Sequence, residues 1–242
     1  MKNIQLKDYS EFQGDLKGAP YEGTISVINN LPFVYTAFHE SFTKMTIYNE
    51  RHIGKVYYDV YKSSWLPHSR NVLSTNCIGE WCLMLDVDHT FDPDLAENML
   101  KVFTENKLQV LTGVYLYKKK PFWPAIYTWD KTKKKYQTVK DWITDSEDLG
   151  LFEVQAAGAG CLMVAKWVFG YIRQELKEEP FTPRKPFDNQ DEEVLGEDLS
   201  FFDRCRQLDI QVVCDPRITI GHLTPNSVEV GKEYNPHKVR KI

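Results

Sequence analysis

Trp81-Cys82-Leu83-Met84-Leu85-Asp86-Val87-Asp88 is the stretch on which the reading of this chain turns. Five apolar residues in a row, too few for a buried helix, read as a strand covered on both faces. The two aspartates that follow are two residues apart. On a strand they project to the same side. Like charges on one face repel unless something positive lies between them. A hard divalent cation with oxygen ligands suits such a pair, and can also hold a diphosphate. The plain alternative is two surface aspartates at a turn.

Working outward, Asp92 and Pro93 open a helix on which Leu95, Met99, Val102 and Phe103 recur at helical spacing. Before the opening stretch, Thr24–Ile28 reads as a strand ending at Asn29-Asn30, 34–45 as a helix and Val56–Val60 as a strand. Ser69 reads as the cap of a helix from Arg70 towards Cys77, stopped by Gly79. Later come a strand at 110–117, a polar and aromatic irregular stretch at 118–150, a strand at 160–165 and a helix at 166–176. A loop with three prolines spans 177–195 and reads as mobile. A helix at 198–208 and a strand at 210–214 ending at Pro216 follow. Short apolar strands alternating with helices imply an α/β layer with a largely parallel sheet. Ligands of such sheets bind beyond the carboxyl ends of the strands, where Asn29, Asn30, Asp86 and Asp88 all fall.

The 242 residues are 42% hydrophobic and 13% aromatic, enough for a real core. The expected organisation is a polar leader at 1–22, one domain at 23–224 and a tail at 225–242. A net charge of −4 gives no overall electrostatic case for a nucleic-acid binder. Residues 118–140 nevertheless carry eight lysines against the single acid Asp130. Five cysteines without a C-x-x-C pair fit a reducing compartment. With no apolar leader and no run of membrane-spanning length, the expected location is cytoplasmic.

Four further groups could carry chemistry. Glu197 and Asp198 open an amphipathic helix; they either complement its dipole or supply a general base. His222 follows Gly221 and reads as a backbone-bonded histidine or, beside an acidic site, as a ligand that suits manganese better than magnesium. Arg70 could engage phosphate or a base edge. The small residues Ala156-Ala157-Gly158-Ala159-Gly160 either form a tight turn or let a sugar approach the backbone.

In this order, Thr24–Ile28, Ser69-Arg70-Asn71, Leu85-Asp86-Val87-Asp88, Gly158-Ala159-Gly160-Cys161, Gly196-Glu197-Asp198-Leu199 and Gly221-His222 together resemble the GT-A type nucleotide-sugar glycosyltransferases, in particular the family-two-like group. The resemblance covers roughly residues 24 to 223. It implies a single Rossmann-like GT-A domain, with a mostly parallel, mixed central sheet flanked by helices. It also implies Mn2+ (or Mg2+) on Asp88 and His222 with Asp86 adjoining, and a nucleoside diphosphate sugar near Asn29, Arg70, Asp86 and Gly158. Asp198 would be the base of an inverting transfer, with Glu197 orienting beside it. The acceptor would be a glycan or another hydroxyl-bearing molecule, a modified nucleic acid included. A retaining transferase of the same fold, a nucleotidyltransferase and a non-catalytic carbohydrate- or nucleic-acid-binding module are the competing readings.

Overall fold

The computed structural model describes residues 22–140 and 150–224. In chain order the elements are β1 (Gly23–Asn29), α1 (Thr36–His52), β2 (Val56–Lys62), α2 (Leu66–Asn76), β3 (Trp81–Asp86), β4 (His89–Thr90), α3 (Leu95–Glu105), β5 (Val110–Val114), β6 (Ile126–Asp130), β7 (Lys135–Thr138), β8 (Phe152–Glu153), β9 (Ala156–Ala157), β10 (Cys161–Ala165), α4 (Lys166–Leu176), α5 (Glu197–Gln207), β11 (Val212–Thr219) and β12 (Gly221–His222). The expected leader, up to residue 21, and the expected tail lie outside the described residues.

The central sheet has seven strands in the order β2-β1-β3-β10-β5-β11-β8. β1 pairs parallel with β2 and β3, and β5 with β11, while β10 runs antiparallel between β3 and β5 and β8 is antiparallel to β11. Five strands therefore share one direction, as the α/β pattern requires. β3 lies inside the sheet, and its five apolar residues are all buried. Burying a Leu or Met side chain is worth about 1.5–3 kcal/mol, so this strand anchors the layer. Helices α2, α3 and α4 pack on the sheet, with α1 against α3 and α2 against α4. No described helix is long and apolar enough to cross a membrane.

Several expectations need correction. α1 runs on to His52 because Asn49 continues its inner face and donates from Nδ2 to the Tyr58 hydroxyl at 3.2 Å. α2 starts at Leu66 with Pro67 in its first turn, so Ser69 is a buried interior residue rather than the cap. α3 begins at Leu95, with Asp94 rather than Asp92 at its N-cap position and no side-chain capping bond. β11 passes through Pro216 to Thr219, with its register broken after Cys214. Within the stretch expected to be irregular, β6 and β7 form a hairpin that joins β9 in a three-stranded sheet. The expected mobile loop at 177–195 is tied down: the buried Arg204 guanidinium donates to the Pro180 and Thr182 carbonyls, and the Phe187 amide donates to Asp203.

Candidate active site

The sheet edge at the carboxyl ends of β1 and β3 gathers the residues of interest. Ile28 lies opposite Asp86 in the parallel ladder, and the Val87 amide donates to the Ile28 carbonyl at 3.4 Å. Because β10 is antiparallel, its beginning reaches the same edge, where the Asp86 amide donates to the Gly160 carbonyl. A short antiparallel ladder then brings in the far end of the chain. β4 pairs with β12, setting His222 opposite His89, and the Leu223 amide donates to the Asp88 carbonyl at 2.7 Å.

Asp88, His89 and His222 form a cluster whose candidate ligand atoms lie within 4.8 Å of one another, the only such cluster among the described residues. Asp88 Oδ1 is 3.2 Å from His89 Nδ1, and Oδ2 is 3.7 Å from His222 Nε2. The two imidazoles stack at 4.5 Å and the Tyr115 ring meets both edge-on. His222 Nδ1 donates to the Leu116 carbonyl at 2.7 Å, which leaves the Nε2 lone pair facing Asp88. Burial alone would raise the Asp88 carboxyl. The Lys118 ammonium and the two imidazoles gathered around its oxygens hold it far below the usual carboxylate range.

These residues fit a divalent cation. Asp88 Oδ1 and both ring nitrogens of His89 are buried without hydrogen-bond partners, and buried polar atoms in that state are costly. One carboxylate with two imidazoles is a borderline donor set that suits manganese better than magnesium. His89 was not anticipated from the sequence. A neighbour of Asp88 along a strand should face the other way, but the chain turns at Val87 and the β4–β12 register returns the ring to the cluster.

Beside the cluster, three acids surround one cation. Arg70 is 1% exposed. Its Nη2 donates to both Asp86 oxygens at 3.1 and 3.0 Å and its Nη1 to the Ala159 carbonyl at 3.2 Å. Nε lies 3.3 Å from Asp198 Oδ1 and 3.9 Å from Glu197 Oε1. The arm expected to reach phosphate or a base edge is instead a buried anchor for carboxylates. Asp86 is correspondingly engaged by Arg70 and stands outside the Asp88 cluster. Glu197 and Asp198 do open α5, lying in its first turn behind Gly196, which offers no side-chain cap. Burial, reinforced by Glu197 and Asp86 and opposed by Arg70, pushes Asp198 up to about 7. One guanidinium cannot fully compensate three carboxylates.

Gly158 and Gly160 are small for internal reasons. A Cβ at Gly158 would stand 1.8 Å from the Tyr115 hydroxyl, and one at Gly160 2.4 Å from His89 Cε1. Neither has the left-handed backbone of a glycine-requiring turn. Asn29 is buried at the end of β1, accepts the Leu31 amide on Oδ1 at 3.2 Å, and borders a cavity of about 410 Å³ walled by Val27, Phe38, His39, Val60 and Val87. Lys118, also unanticipated, sets its ammonium 2.5 Å from Asp88 Oδ2.

No family model matches the chain, and no curated protein matches it in sequence. Among solved structures it is similar to A197 from STIV, with a TM-score of 0.51 and 14% identity over 85% of this chain and 89% of that chain. It is also similar to GalNAc-T7 solved with UDP, GalNAc and Mn2+, with a TM-score of 0.54 and 11% identity over 88% of this chain. The match spans 45% of the GalNAc-T7 chain. At these identities the likeness is one of fold: the chain has an α/β fold similar to that of a GT-A glycosyltransferase.

Proposed function

We propose that this chain is a metal-dependent glycosyltransferase that moves a sugar from a nucleoside diphosphate sugar to an acceptor hydroxyl, with inversion and with Asp198 as base. The observation that carries the reading is the meeting, at one edge of a GT-A-like sheet, of the Asp88–His89–His222 cluster and an acid pair held on Arg70. Asp88, His89 and His222 would hold the cation, manganese by preference. Once bound, it would neutralise charge on the departing diphosphate.

Every other part of the chemistry falls to the chain itself. Asn29 and the apolar cleft beside it offer a nucleoside a polar group and a greasy wall. Gly158 leaves room for the Tyr115 ring that meets both imidazoles of the cluster. Asp198, when ionised, takes the proton of the attacking hydroxyl, and Glu197 beside it orients that hydroxyl. Arg70 keeps both acids and Asp86 in register. The ties on 177–195 oppose the large lid closure that a loose loop would permit.

The test is release of UDP from UDP-sugars by purified protein, with and without Mn2+. Release should depend on the metal and vanish in Asp88→Asn. Asp198→Asn should bind UDP normally by calorimetry yet turn over ~10²–10⁴-fold more slowly. The transferred sugar should carry an inverted anomeric centre by NMR. Turnover of Asp198→Asn at the parent rate, or pyrophosphate as the product, would refute the assignment.

A further inference from the structure

Lys118, Lys119 and Lys120 follow β5 by a few residues and open a cavity of about 630 Å³, also lined by Tyr117, Trp123 and His222. None of its described lining residues is acidic. Lys140 adds another ammonium, 4.2 Å from the centre of the Trp123 ring. Lys118 is paired with Asp88, whereas Lys119 and Lys120 are exposed and have no carboxylate partner among the described residues. Ammonium groups gathered around one hollow repel one another until an anion enters. The chain as a whole is acidic, so this concentration of positive charge is local.

The position of the hollow says which substrate it meets. It shares no lining residue with the cleft beside Asn29, so the two can be filled at once. Its wall includes His222 of the Asp88 cluster. Its Tyr117 touches Tyr127 hydroxyl to hydroxyl. The hollow thus adjoins the cluster: His222 lines it, and Lys118, also in its lining, pairs with Asp88.

We propose that this cavity receives the acceptor and that the acceptor bears phosphate, its ring stacked on Trp123 and its phosphate held by Lys119, Lys120 and Lys140. This rests on the glycosyltransferase reading. In the transfer, a bond forms between the acceptor oxygen and the anomeric carbon as the bond from that carbon to the diphosphate oxygen breaks. The electron pair leaves with the nucleoside diphosphate and the hydroxyl proton passes to Asp198. Phosphate next to a ring occurs both in a small phosphorylated acceptor and along a nucleic-acid strand.

Binding tests the proposal without turnover. Thymidine, thymidine monophosphate and a fluorescent oligothymidylate are titrated against the wild type, Trp123→Ala and Lys119→Ala/Lys120→Ala. The monophosphate should bind and thymidine should not. Trp123→Ala should weaken binding about 5- to 150-fold, the range for loss of one stacked base. For the strand, the double lysine variant should lower the slope of log affinity against log salt by about 1.4. A strand that binds far more tightly than the monophosphate identifies a nucleic-acid acceptor, and equal affinities identify a small one. Thymidine binding as well as its phosphate, or lysine variants with undiminished phosphate preference, would overturn the proposal. UDP release by the wild type reports separately on the parent reading. If release is metal-dependent but phosphate preference is absent, only the acceptor class falls. If release is absent, the enzyme assignment falls while the measured phosphate preference stands.

Discussion

Arg70 shows how much one side chain organises here. The acids at 86, 197 and 198 could be singled out from the sequence because each stands at a recognisable boundary, a strand end or a helix start. Their common partner could not. Arg70 sits next to Ser69, a credible cap, which would put it at a helix start free to reach a phosphate, whereas the helix begins four residues earlier and carries it inward. The crowding has a consequence for pH. Asp198 is pushed from 3.8 to about 7 by burial first and by neighbouring acids second. Between those values the folded protein holds a proton that the unfolded chain has released, so this group's contribution to stability falls as pH rises through that window. Asp88 acts in the opposite sense: its stabilisation is present above its unfolded value and lost as pH falls. Comparing the wild type with Asp198→Asn by urea unfolding across pH cancels the Asp88 part. The wild type should lose ground to the variant from about pH 4 to about pH 7, by at most about 1.4 kcal/mol per pH unit, and then stay level. A pH-independent difference would show that Asp198 titrates normally.

At the scale of elements, legibility followed the strength of the local pattern. α4 has the expected bounds because a strand of unbroken apolar residues runs directly into an amphipathic helix. A solvated hairpin is one reading of the lysine and aromatic stretch, but the sequence does not place the strands and turn of β6–β7, because that turn uses neither Gly nor Asn. Asp130 Oδ1 instead accepts the Thr132 and Lys133 amides, and Lys134 takes the left-handed conformation. The β4–β12 ladder that completes the cluster is two residues long, below the reach of any periodicity. What holds the hairpin to the 177–195 loop is also non-local. The Arg206 guanidinium lies 3.7 Å from the Trp129 ring and 4.4 Å from Phe187, donates to both oxygens of Asp188, and pairs with the fully buried Asp203 at 2.8 Å. Removing it strips a buried carboxylate of its main partner. Arg206→Ala should cost about 3 kcal/mol in urea unfolding, and trypsin should cut faster within 177–195. Arg206→Lys should recover only part of this, because an ammonium cannot bridge Asp188 in two-point fashion while stacking on two rings. Unchanged cleavage in Arg206→Ala would mean that Arg204 and the Phe187–Asp203 bond hold the loop without it.

For the whole molecule, the cluster joins segments far apart in the chain: Asp88 and His89 beyond β3, and His222 after the last long strand of the sheet. A cation bound there cross-links the folded state and has no equivalent site in the unfolded chain, so its binding energy adds to global stability. Lys118 complicates this, because its ammonium rests on Asp88 Oδ2 and must move before a cation takes that oxygen. With the lysine side chain 37% exposed, the pair is worth about 0.2–1 kcal/mol, so its loss should tighten Mn2+ binding only about 1.4- to 5-fold. Thermal unfolding can read both effects. At Mn2+ and UDP concentrations about a hundred times their dissociation constants, the wild type should gain about 2.7 kcal/mol from each, or about 5–10 °C per ligand for a chain of this size. His222→Ala should lose most of the metal-dependent gain, and Lys118→Ala should reach the same shift at lower Mn2+. A UDP shift indifferent to Mn2+, or a Lys118→Ala variant that needs more metal, would mean that the ammonium serves as the site's own cation and that the three-residue cluster is structural.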